Sequence, residues 1–264
     1  MPFVRVNKID LYYEARGYGD PAVLLPGLGS DAGTWLSFAT EFDRYRIVLI
    51  ENRGAGRSAK PPGPYTTQLM AEDAAALMEH LGIQRAHVIG KSMGGMIAQF
   101  LAAQYPDRVR SLVLASTVMV HDEYGKELLE LGRLVASTAG MMAAYRQAFL
   151  LSYSREYCSK NRSRLAEVEA MMQGMDQAEF VRGYLNQSIA CETHDTSAVA
   201  GQIKCPTLVV AGVEDLITPP QASRDLAAAI PRAELAILPR GGHGVWREFP
   251  ADVNAVVREF LARH

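Results

Sequence analysis

The sequence predicts an α/β fold: one eight-stranded, mostly parallel sheet flanked by helices, with a block of helices inserted after the sixth strand. Three observations predict it. Short β-branched apolar runs alternate with helical stretches at both ends of the chain, the pattern of a sheet whose strands are joined by helical crossovers. The pentapeptide Gly90-Lys91-Ser92-Met93-Gly94 sits between one such run and one such helix. Between Ser116 and about Gly201 the alternation stops, and helical stretches follow one another without strands.

The elements follow in order. Val4–Val6 and Ile9–Glu14 alternate as antiparallel strands should, with a turn at Asn7-Lys8. Ala22–Leu25 and Arg46–Glu51 are the next strands, separated by a helical stretch near Ala32–Phe42. Pro61-Pro62-Gly63-Pro64 breaks structure before a helix over Thr67–Leu81, for which Gly82 supplies the stop. Ala86–Ile89 is the fifth strand, Met93–Tyr105 the helix after it, and Val109–Ala115 the sixth strand. The inserted block reads as helices over Glu123–Ser137, Met141–Tyr153, Arg162–Met175 and Glu179–Cys191. Thr207–Ala211 and Ala233–Leu238 are the last strands, and Pro250–Arg263 is the final helix.

Composition bounds the function classes. With 264 residues and 48% hydrophobic content, the chain can bury one large core. A net charge of −2 leaves no electrostatic footprint for nucleic acid or an anionic membrane. Cys158, Cys191 and Cys205 lack metal-ligand spacing, and an odd count argues against a disulfide framework. Met1 to Leu11 lacks a signal-peptide core, and no run approaches the roughly 20 apolar residues of a membrane span. Cytoplasmic residence is the expectation.

The pentapeptide carries chemistry because of its context. A serine at the apex of a strand-to-helix turn is forced into a strained backbone, and flanking glycines let strand and helix pass closely. Ser92 Oγ would then stand above the sheet edge, with the Met93 N–H at a helix N-terminus beside it. A serine that merely caps a helix would need no partners. A nucleophilic serine needs an imidazole to take its proton and a carboxylate to orient that imidazole. Downstream, Asp215 follows the Thr207–Ala211 strand and His243 follows the Ala233–Leu238 strand, both at the edge where parallel sheets bind ligands. Glu214 is adjacent to Asp215, and Asp122 and Glu123 lie past the sixth strand, where a solvated loop is expected. His80, His87, His121, His194 and His264 lack the glycine-rich setting of His243 and are expected at the surface or at helix caps. Lys91 could attract an anionic substrate, but strand alternation favours a side chain turned away along the sheet edge.

Taken together, Leu24–Gly29, Arg53-Gly54-Ala55-Gly56-Arg57-Ser58, Gly90–Gly95, Ala211–Asp215 and Gly242-His243 resemble the α/β-hydrolase superfamily over essentially the whole chain. The resemblance implies a triad of Ser92, Asp215 and His243, with Leu28 and Met93 N–H groups as the oxyanion hole. It also implies a core of residues 1–118 and 199–264 and a helical cap over 119–198 that roofs the pocket. Two departures stand out: Pro26 replaces the family's usual histidine, and Glu51-Asn52 lacks the usual aspartate before Arg53. A structural role is expected for the second.

Size, elbow and short cap are similar to small bacterial carboxylesterases and 3-oxoadipate enol-lactonases. The resemblance implies hydrolysis of a small-molecule ester or lactone, an enol-lactone being one candidate, with no metal or organic cofactor. Carbon–carbon hydrolysis of a ring-cleavage product, cofactor-free perhydrolase activity and a non-turnover small-molecule sensor share the same elbow. In the cap, Met141, Met142, Met171, Met172 and Met175, with Tyr145, Phe149, Tyr153, Phe180 and Tyr184, are expected to form mainly its own core, a minority facing the pocket. Arg155, Arg162, Arg164 and Arg182 are expected to be solvated, and one reaching inward would signal a carboxylate substrate. Nothing in the sequence sets the oligomeric state.

Overall fold

The structure is a computed structural model that describes residues 2–173 and 177–264, without the side chains of Ser37 and Met171. Eight strands form one sheet: β1 (Phe3–Val6), β2 (Ile9–Arg16), β3 (Pro21–Leu25), β4 (Arg46–Ile50), β5 (Ala86–Lys91), β6 (Val109–Ala115), β7 (Thr207–Gly212) and β8 (Ala233–Leu238), in the order β1-β2-β4-β3-β5-β6-β7-β8. β1 and β2 pair antiparallel, as does β2 with β4, and every later pair is parallel. Asn7 and Lys8 both take positive φ, 43° and 67°, which closes the tight β1–β2 turn.

The central strands are apolar on both faces because helices cover both. Val23, Leu25, Val48, Val88, Leu112 and Leu114 pack on one side against α2 (Thr67–His80) and α3 (Met93–Gln104). Leu24, Leu49, Ile89, Val113, Leu208 and Val210 pack on the other, in the cluster that holds Val253 and Phe260 of α11 (Pro250–Ala262). Truncating a leucine at such a site costs about 2–5 kcal/mol. The predicted helix at Ala32–Phe42 is instead a 3₁₀ turn, Ala32–Trp35, running into the short α1 (Leu36–Glu41). Trp35, Phe38 and Phe42 anchor it to the sheet despite the irregular backbone.

Between β6 and β7 run five helices: α4 (Glu123–Ala139), α5 (Met141–Ser152), α6 (Arg155–Lys160), α7 (Ser163–Met172) and α8 (Gln177–Glu192). α6 is absent from the sequence expectation because its six residues are too few for a helical period; Ser154 caps it, its hydroxyl accepting from the Tyr157 N–H at 3.1 Å. The end of the helix expected over Arg162–Met175, with Met175, lies outside the described residues, as does the Met171 side chain. Asp122 lies in an exposed loop, as expected, and there caps α4 by accepting from the Gly125 N–H at 2.8 Å. The segments flanking the insertion meet in an antiparallel bridge, Val120 to Asp195, beside a Thr196 N–H donation to the Met119 carbonyl at 3.1 Å. The last helices are α9 (Pro220–Ala229), the one-turn α10 (Val245–Glu248) and α11. No helix among the described residues is long and apolar enough to cross a membrane.

Candidate active site

Ser92 sits between β5 and α3 with φ 55° and ψ −123°, the strained conformation expected of a sharp strand-to-helix turn. Sterics explain the glycines. A Cβ on Gly94 would overlap the Leu25 carbonyl, and one on Gly90 would overlap the Gly94 carbonyl. Strand and helix can therefore approach only without side chains at these two places. The Thr117 hydroxyl donates to the Ser92 carbonyl at 2.8 Å and ties the turn to the end of β6.

Asp215 and His243 reach Ser92 from β7 and β8, two and three positions along the sheet. His243 Nε2 lies 3.0 Å from Ser92 Oγ, and His243 Nδ1 lies 3.0 Å from Asp215 Oδ2. With its proton on Nδ1, His243 donates to Asp215 and leaves Nε2 to accept the serine proton. Asp215 is buried and accepts from the Ile217 and Thr218 N–H groups, each at 2.9 Å, and from the Thr218 hydroxyl at 2.9 Å. Burial pushes the Asp215 pKa up, but the His243 charge and these donors outweigh it and hold the carboxyl below the usual range. Glu214 is exposed and does not join the group.

The Gly27–Ser30 loop approaches Ser92 closely, so that a Cβ on Gly27 would stand 3.3 Å from Ser92 Cβ. Neither the Leu28 nor the Met93 N–H has a hydrogen-bond partner among the described residues. Both are donors left over beside the serine, as an oxyanion site requires. The loop lacks the imidazole that Pro26 displaces, and other groups brace it. Asn52 Nδ2 donates to the Pro26 carbonyl at 3.1 Å, while Gln187 Oε1, from α8, accepts from the Gly29 N–H at 2.8 Å. Glu51 is fully buried, where it accepts from the Ala32 N–H at 3.3 Å and pairs with Arg57. The departure at Glu51 is thus structural, holding the turn that follows the loop, while its neighbour Asn52 holds the loop itself.

Ser92 and His243 open into a cavity of about 490 Å³ between the sheet edge and the insertion. Trp35, Phe38 and Trp246 form one aromatic wall, with ring centroids 5.1–5.4 Å apart. From the insertion come Tyr145, Phe149, Tyr153, Met172, Phe180 and Tyr184, a larger share of the expected aromatics than a cap packed mainly on itself would leave free. Met141, by contrast, packs inside the insertion with Ala136 and Ala144.

Several cavity residues differ from expectation. Lys91, expected to turn away, lines the cavity, as do Arg164, expected to be solvated, and Arg247. His121, expected at the surface, also lines it, buried, and loss of water contact lowers its pKa to about 4. His87 and His194 are buried rather than surface residues, each beside a hydroxyl: Ser111 at 2.7 Å and Thr67 at 2.8 Å. The Thr218 hydroxyl was missed; its signal is the spacing, three residues after Asp215, which lets it turn back onto that carboxylate. Among the described residues, no group of three His, Cys, Asp or Glu side chains is placed to hold a metal ion.

Comparison with known proteins agrees with the fold. The sequence is 33% identical over 261 residues to the protein named "Putative carbamate hydrolase RutD" of Caulobacter sp. (strain K31), covering 96% of each chain. The structure superposes on the enol-lactonase from Burkholderia xenovorans LB400 with a TM-score of 0.89 at 29% identity, covering 99% of this chain and 100% of that one. It matches a thermophilic esterase from Thermogutta terrifontis, solved with malate bound, with a TM-score of 0.84 at 25% identity, over 100% and 97% of the two chains. The family model described as alpha/beta hydrolase fold matches residues 20–246, from the start of the third strand past His243, and the chain belongs to that family.

Proposed function

We propose that the protein is a serine hydrolase that cleaves a small carboxylic ester or lactone through an acyl-enzyme. The observation that carries this reading is the relay of contacts from Ser92 Oγ to His243 Nε2 at 3.0 Å and from His243 Nδ1 to Asp215 Oδ2 at 3.0 Å. His243 takes the Ser92 proton as Oγ attacks the substrate carbonyl. Asp215 orients the imidazole and stabilises its charged form. The carbonyl oxygen, now anionic, accepts from the Leu28 and Met93 N–H groups, each donor worth about 3–4 kcal/mol in the transition state. His243 then protonates the leaving oxygen, and a water activated by the same imidazole releases the acid and restores Ser92.

Residues 119–198 act in this reading as a cap that shapes the pocket. The aromatic and thioether lining suits an apolar acyl or alcohol portion, and the enol-lactonase and esterase likenesses support ester and lactone carbonyls. A second reading, carbamate hydrolysis, is favoured by the identity to relatives named as carbamate hydrolases. The same groups would serve it, with His243 protonating a nitrogen leaving group instead of oxygen.

A burst-phase assay on a graded series of p-nitrophenyl esters, beside the Ser92→Ala variant, tests the proposal. Many turnovers with a chain-length optimum, abolished in the variant, are the expected result. Hydrolysis retained in Ser92→Ala would remove the nucleophile. A single slow burst with no turnover would favour a sensor or carbon–carbon cleavage, and turnover confined to p-nitrophenyl carbamates would select the second reading.

A further inference from the structure

We infer that Lys91 and Arg247 form a carboxylate-binding subsite beside Ser92, so that the preferred substrate is an ester or lactone whose own chain carries a carboxylate. This deepens the ester-hydrolase reading and rests on it. The placement comes first. Lys91 is the last residue of β5, immediately before Ser92, and Arg247 lies in α10, four residues after His243. Each cation is therefore tethered to one of the two side chains that meet at the reacting centre. Both line the Ser92 cavity, and both are only partly exposed.

Neither cation is neutralised by the protein. Among the described residues the Lys91 side chain has no hydrogen bond or ion pair, and the Arg247 side chain has only a long contact, 3.5 Å, to the Thr34 carbonyl. The carboxylates nearby are already engaged. Glu248, next to Arg247, turns to Ser154, accepting from its N–H at 3.2 Å and from its hydroxyl. Asp215 is committed to His243 and Thr218. Asp31 also lines the cavity, but burial and the nearby Glu51 charge raise its pKa and weaken it as a counter-ion. Glu167, on α7, also lines the cavity but is exposed, where water screens its charge.

Two unpaired like charges in one partly enclosed cavity repel and are poorly hydrated. Loss of water contact, followed by the Arg247 charge, pushes the Lys91 pKa down to about 8. Entry of an anion between them relieves both penalties, which is how cationic subsites acquire affinity for carboxylates. Arg164, from α7 and also without an ion-pair partner among the described residues, adds a third positive group to the same cavity. The aromatic wall of Trp35, Phe38 and Trp246 lies beside these cations, where it can pack on the methylenes that join carboxylate to scissile carbonyl.

The test compares the p-nitrophenyl monoester of glutaric acid with p-nitrophenyl valerate, which has the same acyl length and a methyl in place of the carboxylate. Wild type is expected to prefer the glutarate ester by about tenfold to a hundredfold in kcat/KM, the range of one charge-assisted hydrogen bond. Lys91→Met and Arg247→Gln should each lower that ratio about tenfold, through KM for the glutarate ester, and Lys91→Arg should restore most of it. A ratio near one in wild type, or one unmoved by both variants, overturns the subsite. If Lys91→Met fails to fold, Arg247→Gln carries the same test. Calorimetric titration of glutarate into Ser92→Ala separates the two readings. Glutarate binding without turnover of either ester would sustain the subsite and defeat the ester-hydrolase reading; valerate turnover without glutarate binding would do the reverse.

Discussion

Gln187 binds the Gly29 loop: its Oε1 accepts from the Gly29 N–H at 2.8 Å while its Nε2 donates to the Arg53 carbonyl at 2.7 Å. A fully buried side chain of the helical insertion thus holds the backbone that presents the Leu28 N–H. Gln187→Leu leaves the Arg53 carbonyl unpaired in a buried setting, a cost of about 1–3 kcal/mol. Urea unfolding is expected to show that loss, and kcat on an ester is expected to fall with it. Lost stability with unchanged kcat would reduce Gln187 to a structural brace.

Thr218 and Asp215 make opposite predictions for the pH profile. The Thr218 hydroxyl donates to Asp215 Oδ2 at 2.9 Å and so disperses part of the charge that stabilises protonated His243. Thr218→Val removes the hydroxyl donor, leaves Asp215 Oδ2 to His243 while the Ile217 and Thr218 N–H groups stay on Oδ1, and should move the acid limb of kcat/KM to higher pH. Asp215→Asn removes the charge, should move that limb down, and should lower kcat by roughly 10⁴-fold, the cost of losing the orienting carboxylate. Profiles of the two variants that shift in the same direction would contradict this account.

Acid stability follows from three buried imidazoles. Loss of water contact lowers the pKa of His87 and His121 to about 4 and of His194 to about 3, from 6.5. The unfolded chain then binds more protons than the native one below pH 6.5, so native stability is complete above that pH and declines as pH falls towards 4. With three such groups the slope reaches about 4 kcal/mol per pH unit at most. Denaturation midpoints measured from pH 7 to 4 should fall, and the triple variant with Gln at these positions should flatten the decline. A midpoint constant to pH 4.5 would contradict it.

The glycines should separate folding from activity. Gly94→Ala places a methyl against the Leu25 carbonyl and is expected to prevent accumulation of folded protein. Gly27→Ala places one 3.3 Å from Ser92 Cβ and 3.8 Å from Ser92 Oγ, a contact that side-chain shifts can absorb, so the chain should fold while ester turnover drops. Circular dichroism and an esterase assay on both variants decide between these outcomes.

Strand runs such as Thr207–Ala211 were readable because parallel strands buried on both faces must be continuously apolar. The contact of Ser92, Asp215 and His243 was readable because each lies just past a strand end, where the sheet itself brings them together. What the sequence left hidden is which face of each element borders the cavity. Alternation holds at Lys91, the last residue of β5, but the face it shares with Ile89 is the one that carries Trp35 and Trp246, and at the strand end that face borders the cavity. His121 lies in the segment that leads into α4, and Arg164, in α7, faces the cavity through the angle at which the inserted helices lie on the sheet. That angle is set by contacts such as Gln187 to Gly29, which are distant in sequence and have no local pattern.

The bridge from Val120 to Asp195 has a consequence for how such a protein can change over generations. Because the two stems of the five-helix block are clasped to each other, residues gained or lost within the block do not alter the spacing of β6 and β7. Substrate preference can drift, or be recombined as a cassette from another lineage, while the machinery at the strand ends stays in register.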